Sequence, residues 1–294
     1  MTRIGRTATS FTIMLTLAAC SGQGSRSSGS SGVTHEPSSD SVSYAYFAEV
    51  LARYVDDRGL VDYAGLRANR SSLDAFIADL AELKPDVCAA WSEPDKIAFW
   101  LNAYNAITLA SVVDNYPIEP SLLRRFFYPE NSIRQIPGVW TEREWIIMGS
   151  RYTLDAIEHE VLRAEFEEPR IHAALVCAAM GCPPLRNEPY TGGLLIAQLD
   201  DQMRRFLAHD NKFRISRDTG TVYLSLIFRW FGSDFVAPAK SGVIEGHGAV
   251  EAAVLFTIAD YLSPEDSAYL RSGDYTVEYL EYDWSLNDQR KDIP

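Results

Sequence analysis

Lys96-Ile97-Ala98-Phe99-Trp100-Leu101-Asn102-Ala103-Tyr104-Asn105-Ala106 is the stretch whose periodicity sets the fold class. Ser92-Glu93-Pro94-Asp95 precedes it and supplies a cap, an early proline and acids at the positive end of a helix that runs to about Val113. At 100° per residue, Ile97, Trp100, Leu101, Tyr104, Ile107, Thr108 and Val112 crowd one sector, and Phe99 covers much of the far side. A helix that is apolar nearly all round belongs at the centre of a domain. Asn102 and Asn105 lie three apart on one flank, and a buried carboxamide needs partners because each unmade hydrogen bond costs about 1–3 kcal/mol. Two readings stand for them. Either they satisfy loop backbone groups, or they serve as substrate or oxyanion contacts.

Working outward, helical spacing predicts further helices over 44–55, 73–83 (capped by Ser71 or Ser72 and closed by Pro85), 154–166 behind Thr153, 194–209, and 249–262, ended by Ser263-Pro264. Trp145-Ile146-Ile147-Met148 before Gly149-Ser150 predicts a hairpin. Phe213-Arg214-Ile215 and Val222-Tyr223-Leu224 around Asp218-Thr219-Gly220 predict another, and a late strand falls near 277–279. The apolar run 171–180 is not settled by periodicity. Helices interleave with short strands without strand-helix-strand repeats, so the expected class is α+β: one domain over 44–294, its helices packed with a small antiparallel sheet and hairpins.

With 294 residues and 47% hydrophobic content the chain buries a large core, which excludes a disordered or fibrous protein. Its formal net charge of -13 is the wrong sign for gripping phosphates, so nucleic acid is not an expected partner. Arg3 and Arg6 precede an apolar run from Phe11 to Ala19, too short for the roughly 20 residues of a membrane span, and Leu17-Ala18-Ala19 leads to Cys20. This looks like a bacterial lipoprotein signal. Residues 1–19 are then a signal peptide, Cys20 is lipidated, and Ser21 in place of Asp implies outer-membrane sorting, with lipid as a partner through the acyl chains. Residues 20–43 are rich in Ser and Gly and are expected to act as a tether, with His35 idle within it.

Candidate chemistry gathers in two places. In the 154–166 helix, Glu158 projects into the apolar sector set by Leu154, Ile157, Val161 and Leu162, with His159 and Asp155 at its edge. A carboxylate facing a core needs a partner, and Arg163 or Arg170 is expected before a histidine. The run 170–185 holds His172, Cys177, Gly181, Cys182, Pro183 and Pro184. A thiol becomes a thiolate near a base, but His172 and Cys177 are five apart and do not share a face of one regular element. His159, or His172 reached across a turn, is the candidate base. The run also admits a plain disulfide, a core cysteine with a core histidine, and a zinc site from Cys177, Cys182, His172 and His159 that lacks familiar spacings. No cofactor or metal is expected. Cys88, His209 and His247 are given no role.

These words resemble the family known as domain of unknown function 547. Lys96 to Ala106, Thr153 to Arg163, Pro169 to Leu185, Tyr223-Leu224-Ser225 with Phe228, Trp230, Asp234 and Phe235, and Tyr282-Asp283-Trp284-Ser285-Leu286-Asn287 carry the resemblance across most of residues 50–287. Ala173 and Val176 depart from it, standing where a bulkier residue and Asn are expected. The resemblance implies one domain with a shared polar centre, and it supplies no reaction. The family's occurrence in reducing compartments weighs against reading Cys177 and Cys182 as a purely structural disulfide.

The leading expectation is a thiol-dependent hydrolase or acyl transferase acting on a peptide-like or acyl envelope substrate. Cys177 or Cys182 is its nucleophile, His159 or His172 its base and Glu158 the group orienting the imidazole; Asn102, Asn105 and Arg170 contact substrate. The alternatives are a non-catalytic module binding a small molecule or peptide, and a redox protein cycling Cys177 with Cys182.

Overall fold

The structure, a computed structural model, describes residues 42–236 and 244–290. The expected signal peptide, Cys20, His35 and nearly all of the tether lie outside the described residues. In chain order the elements are α1 (Ala45–Tyr54), α2 (Tyr63–Ala68), α3 (Ser71–Glu82), α4 (Pro85–Ala89), α5 (Glu93–Val113), β1 (Trp145–Ile147) and β2 (Ser150–Tyr152). Next come α6, which joins Leu154–Ala156, a π-helical stretch Ile157–Leu162 and Arg163–Glu165, then α7 (Leu195–Leu207), β3 (Phe213–Ser216) and β4 (Thr221–Leu224). The chain closes with α8 (Leu226–Trp230), α9 (Ala249–Ala259), α10 (Pro264–Ser272) and β5 (Thr276–Tyr279).

α5 starts as its sequence dictates. The Ser92 hydroxyl accepts from the Asp95 amide, Pro94 sits in the first turn, and every residue from Ile97 to Val113 is buried. Packed on it are α2, α3, α6 and α7. The resulting core takes in Phe47 and Leu51 of α1, Leu73 and Phe76 of α3, and Leu154 and Leu162 of α6. A second core joins Met203 and Phe206 of α7 to Val222 and Leu224 of β4, Phe228 of α8, and Leu255 and Ile258 of α9.

The class is α+β with two small sheets. β1 and β2 are antiparallel around Met148 (φ 52°) and Gly149 (φ 70°), the two positive φ values that a tight hairpin turn demands. β3 and β4 are antiparallel, with Phe213 opposite Leu224. β5 is parallel to β4, which the long connection between them, carrying α8, α9 and α10, permits. The antiparallel expectation therefore holds for the hairpins and not for this last pairing. The helices before Pro85 and Pro264 end at Glu82 and Ala259, and each proline also opens the next helix, since proline lacks an amide that the first turn does not need.

The long connection from Ala174 to Tyr190 forms neither regular helix nor strand, so its backbone groups need partners from elsewhere. α5 supplies two. The Asn105 carboxamide donates to the Ala174 carbonyl (3.0 Å) and accepts from the Val176 amide (3.0 Å). Asn102 treats Tyr190 the same way, at 2.8 and 2.9 Å. The segment after β5 supplies three more: Met180 N–H donates to the Ser285 carbonyl (2.7 Å), Gly181 N–H to Asp283 (2.8 Å) and Asn287 N–H to Ala178 (3.1 Å). Asn287 and Gln289 in turn bond with Val61, and Tyr63 donates to the Asn287 carboxamide at 2.7 Å.

Asn105→Ala leaves a buried carbonyl and a buried amide unpaired, at about 1–3 kcal/mol each. Urea denaturation of this variant is expected to show a loss of about 2–6 kcal/mol relative to wild type. A loss under about 0.5 kcal/mol, the range of ordinary surface substitutions, would show that the loop is held by other means.

Candidate functional site

His172 rides on a short 3₁₀ turn, Pro169–Ala173, and the chain then runs irregularly through Cys177 to Cys182. Ala178 adopts φ 62°, a region that a residue with a Cβ rarely occupies, directly beside Cys177. This bend and Gly181 turn the chain back on itself. Cys177 and Cys182 are joined as a disulfide, with Cα atoms 6.3 Å apart. Cys177 is half-buried and Cys182 buried. The Tyr282 hydroxyl lies 3.3 Å from the sulfur of Cys177 and 3.1 Å from that of Cys182. A Cβ on Gly181 would meet the Tyr282 ring at 2.9 Å, so glycine is what admits this tyrosine. From the far side, the Lys212 ammonium donates to the carbonyls of Met180 and Cys182. Burial pulls that ammonium down to about 8.

α6 brings the ionisable groups. Its π-helical stretch spans Glu158 and His159, and such insertions change which residues share a face. Arg163 makes a two-pronged bond to Asp234 (Nε–Oδ2 2.5 Å, Nη2–Oδ1 2.7 Å). His172 Nε2 lies 2.8 Å from the same carboxylate, and its ring stacks on Phe231 with centroids 4.1 Å apart. Burial works to raise the Asp234 carboxyl, but the bonds from Arg163 and His172 outweigh it and hold the group well below the usual carboxylate range. An ionised carboxylate only accepts, so His172 carries its proton on Nε2 and leaves the Nδ1 lone pair free. Burial also lowers the imidazole against the pull of Asp234, so it is neutral at neutral pH. His159 differs. Its Nδ1 accepts from Arg163 (2.8 Å), which puts its proton on Nε2, toward Asp155 at 3.5 Å.

Glu158 finds no arginine. Arg163 is committed to Asp234, and Arg170 pairs with Glu168 and Asp200, so the expected Glu-Arg pair is not formed. The Tyr104 hydroxyl bonds Glu158 at 3.3 Å. Burial lifts this carboxyl to about 7, against the opposing effects of Tyr104 and Arg163.

These groups meet on one cavity of about 370 Å³. Cys177, Cys182, His172, His159, Glu158 and Asp155 line it together with Arg134, Tyr104, Tyr282, Trp140, Trp230, Trp284 and Phe231. All five expected catalytic candidates are thus brought together. The three expected substrate contacts are not among the lining: Asn102 and Asn105 face loop backbone because that is what reaches α5, and Arg170 is held by two acids. Glu158 does not orient an imidazole either, and Asp234 takes that place for His172. Sequence reasoning missed Asp234 and Tyr282 as site residues. The available signal was an acid set among Phe228, Trp230, Phe231 and Phe235, and a tyrosine beside Trp284. Among the described residues, no group of three His, Cys, Asp or Glu could hold a metal ion, and no helix is long and apolar enough to cross a membrane.

The folded chain holds the Glu158 proton up to about pH 7, whereas an unfolded glutamate releases it near 4.5. Stability therefore falls as pH rises through that window. The difference amounts to about 3 kcal/mol. Glu158→Gln is expected to be more stable than wild type above pH 7 by up to that amount, with the gap closing toward pH 4.5 in urea titrations. A gap that does not vary with pH would show that Glu158 is ionised throughout.

No curated protein and no solved structure matches the chain. Residues 88–207 match the family described as Protein of unknown function, DUF547. This segment contains Glu158, His159, His172 and both paired cysteines, while Asp234 and Tyr282 lie beyond it. From Cys88 to Leu207, the part that carries the sulfurs and the imidazoles, the chain is similar to the DUF547 family.

Proposed function

We propose that the protein is a lipid-anchored envelope hydrolase or acyl transferase that uses Cys177, in its reduced form, on a peptide-like or acyl substrate. The observation that carries this reading is the shared cavity wall: a sulfur pair stands with a neutral imidazole whose free lone pair is set by a carboxylate. Cys177 is the nucleophile because it is the more exposed of the two sulfurs. His172 takes the thiol proton, and Asp234 stabilises the imidazolium. The thiolate attacks the substrate carbonyl carbon, the new C–S bond replaces the bond to the leaving group, and the leaving group departs with the proton from His172. Water then hydrolyses the thioester, or an acceptor amine or alcohol takes the acyl group. Tyr282 donates to sulfur, and below about pH 7 the protonated Glu158 offers a second donor in the cavity.

A redox reading has its own support in the disulfide between Cys177 and Cys182. There the pair accepts two electrons and two protons from a dithiol reductant and returns them to an oxidant. One experiment separates the two. After reduction, Cys177 is expected to be alkylated with an apparent pKa below the ~8.5 of a free thiol. The reduced chain is expected to turn over a thioester or aryl ester, and Cys177→Ala and Asp234→Asn each lower kcat at least about 100-fold. Turnover that survives Cys177→Ala and Cys182→Ala together would sink the acyl-transfer mechanism. Absence of turnover with reversible reduction by a thioredoxin-like protein selects the redox reading instead.

The anchor has a separate test. Cells fed an alkyne fatty acid are expected to label the wild-type chain and not Cys20→Ser. Equal labelling of both would remove the lipoprotein reading.

A further inference from the structure

One cation in the cavity has incomplete bonding. Arg134 lies on a 3₁₀ turn, Ile133–Gln135, and its own amide donates to the Ser132 hydroxyl that caps the turn. Its guanidinium stands 4.0 Å from the Trp284 ring centroid, with Tyr128 at 5.0 Å and Trp140 at 5.3 Å. Stacking fixes the plane of the group and leaves its donor edge for something in that plane. Nε is buried without a hydrogen-bond partner, and among the described residues no carboxylate pairs with this side chain. Arg186 also has an unpartnered Nε, but its other nitrogens hold Glu188 and Asp201, and Arg163 and Arg170 likewise hold acids. A buried donor with no acceptor is expensive, and on a cavity-lining cation that no acid neutralises it points to an absent acceptor.

We propose that Arg134 anchors the carboxylate of a ligand, so that the cavity takes an α-(acylamino) carboxylate, the chemistry shared by N-acyl amino acids and peptide C-termini. A planar two-oxygen anion matches the guanidinium fork. The anion carries a single charge, because Asp155 on the same lining opposes a dianionic phosphate. Trp230, Phe231 and Tyr282 offer aromatic surface for the acyl part. This names the substrate class of the thiol reading and rests on it for the reacting carbonyl, whereas the binding step does not need the sulfurs.

The test is calorimetric titration of the full chain with hippurate, hippuramide, acetyl-trialanine, its amide and inorganic phosphate. It is carried out on the wild type and on Cys177→Ser/Cys182→Ser, which lacks both thiols. Each acid is expected to bind at least about ten-fold tighter than its amide in both proteins. Arg134→Gln is expected to erase that preference while hippuramide binding persists, which certifies an intact cavity, and Arg134→Lys is expected to keep part of it. If Arg134→Gln does not fold, the wild-type acid and amide pairs with Arg134→Lys decide. Tighter binding of the tripeptide acid assigns the peptide source, and tighter binding of hippurate the N-acyl amino acid source. Equal affinity for acid and amide, tighter binding of phosphate, no binding of any probe, or a preference unchanged in Arg134→Gln overturns the proposal. A preference retained in the serine double variant while wild-type turnover is absent separates failure of the thiol reading from failure of this one.

Discussion

The paired hydrogen bonds between the Asn105 carboxamide and the backbone at Ala174 and Val176 are the constraint from which the site follows. A carboxamide in the middle of a wholly buried helix has one donor end and one acceptor end to satisfy, and it reads a passing chain as a neighbouring strand would. The loop in turn lacks secondary structure of its own. Each needs the other, and the pairing places Cys177 one residue beyond the clamp, in register with the helix instead of adrift on a surface loop.

Around that clamp the two cores divide the labour. The α5 core holds the sulfurs and Glu158, while the segment before and after Phe231, packed on the second core, contributes Asp234. Arg163 and His172 bridge them through a single carboxylate. The outcome is two acids of opposite character near one cavity. Asp234 stays ionised because cationic and N–H donors converge on it, and Glu158 is half-protonated near neutrality because burial dominates. Carboxyl groups driven apart in this way are how one fold keeps an acceptor and a proton donor available together.

The parts legible in the sequence are those set by neighbours in the chain. α5 with its Ser92 cap, and the hairpins at Met148-Gly149 and Asp218-Thr219-Gly220, follow from local periodicity and turn chemistry. Pro85 and Pro264 were ambiguous, because a proline ends one helix and opens another with equal ease. α2 is too short to display a period, and the π-helical stretch of α6 defeats a projection at constant angle. The cluster of Cys177, Cys182, His159, His172 and Glu158 was legible as an excess of polar groups on apolar elements. The division of roles was not. The partner of His172 lies 62 residues away, and whether Asn102 meets substrate or backbone depends on which loop reaches it.

The segment from Tyr282 to Gln289 crosses both the cysteine loop and Val61 near the start of the domain. Such long-range closure comes late, since loop entropy must be overcome before the contacts repay it. A chain emerging from its N-terminus therefore acquires helices and sulfurs long before it acquires Tyr282, Trp284 and the backbone bonds of Asp283 and Ser285. The cavity stays unroofed until Tyr282 and Trp284 have been made. Fragments ending before Tyr282 would carry the cysteines without the hydroxyl that lies beside both sulfurs and the backbone groups that hold their loop.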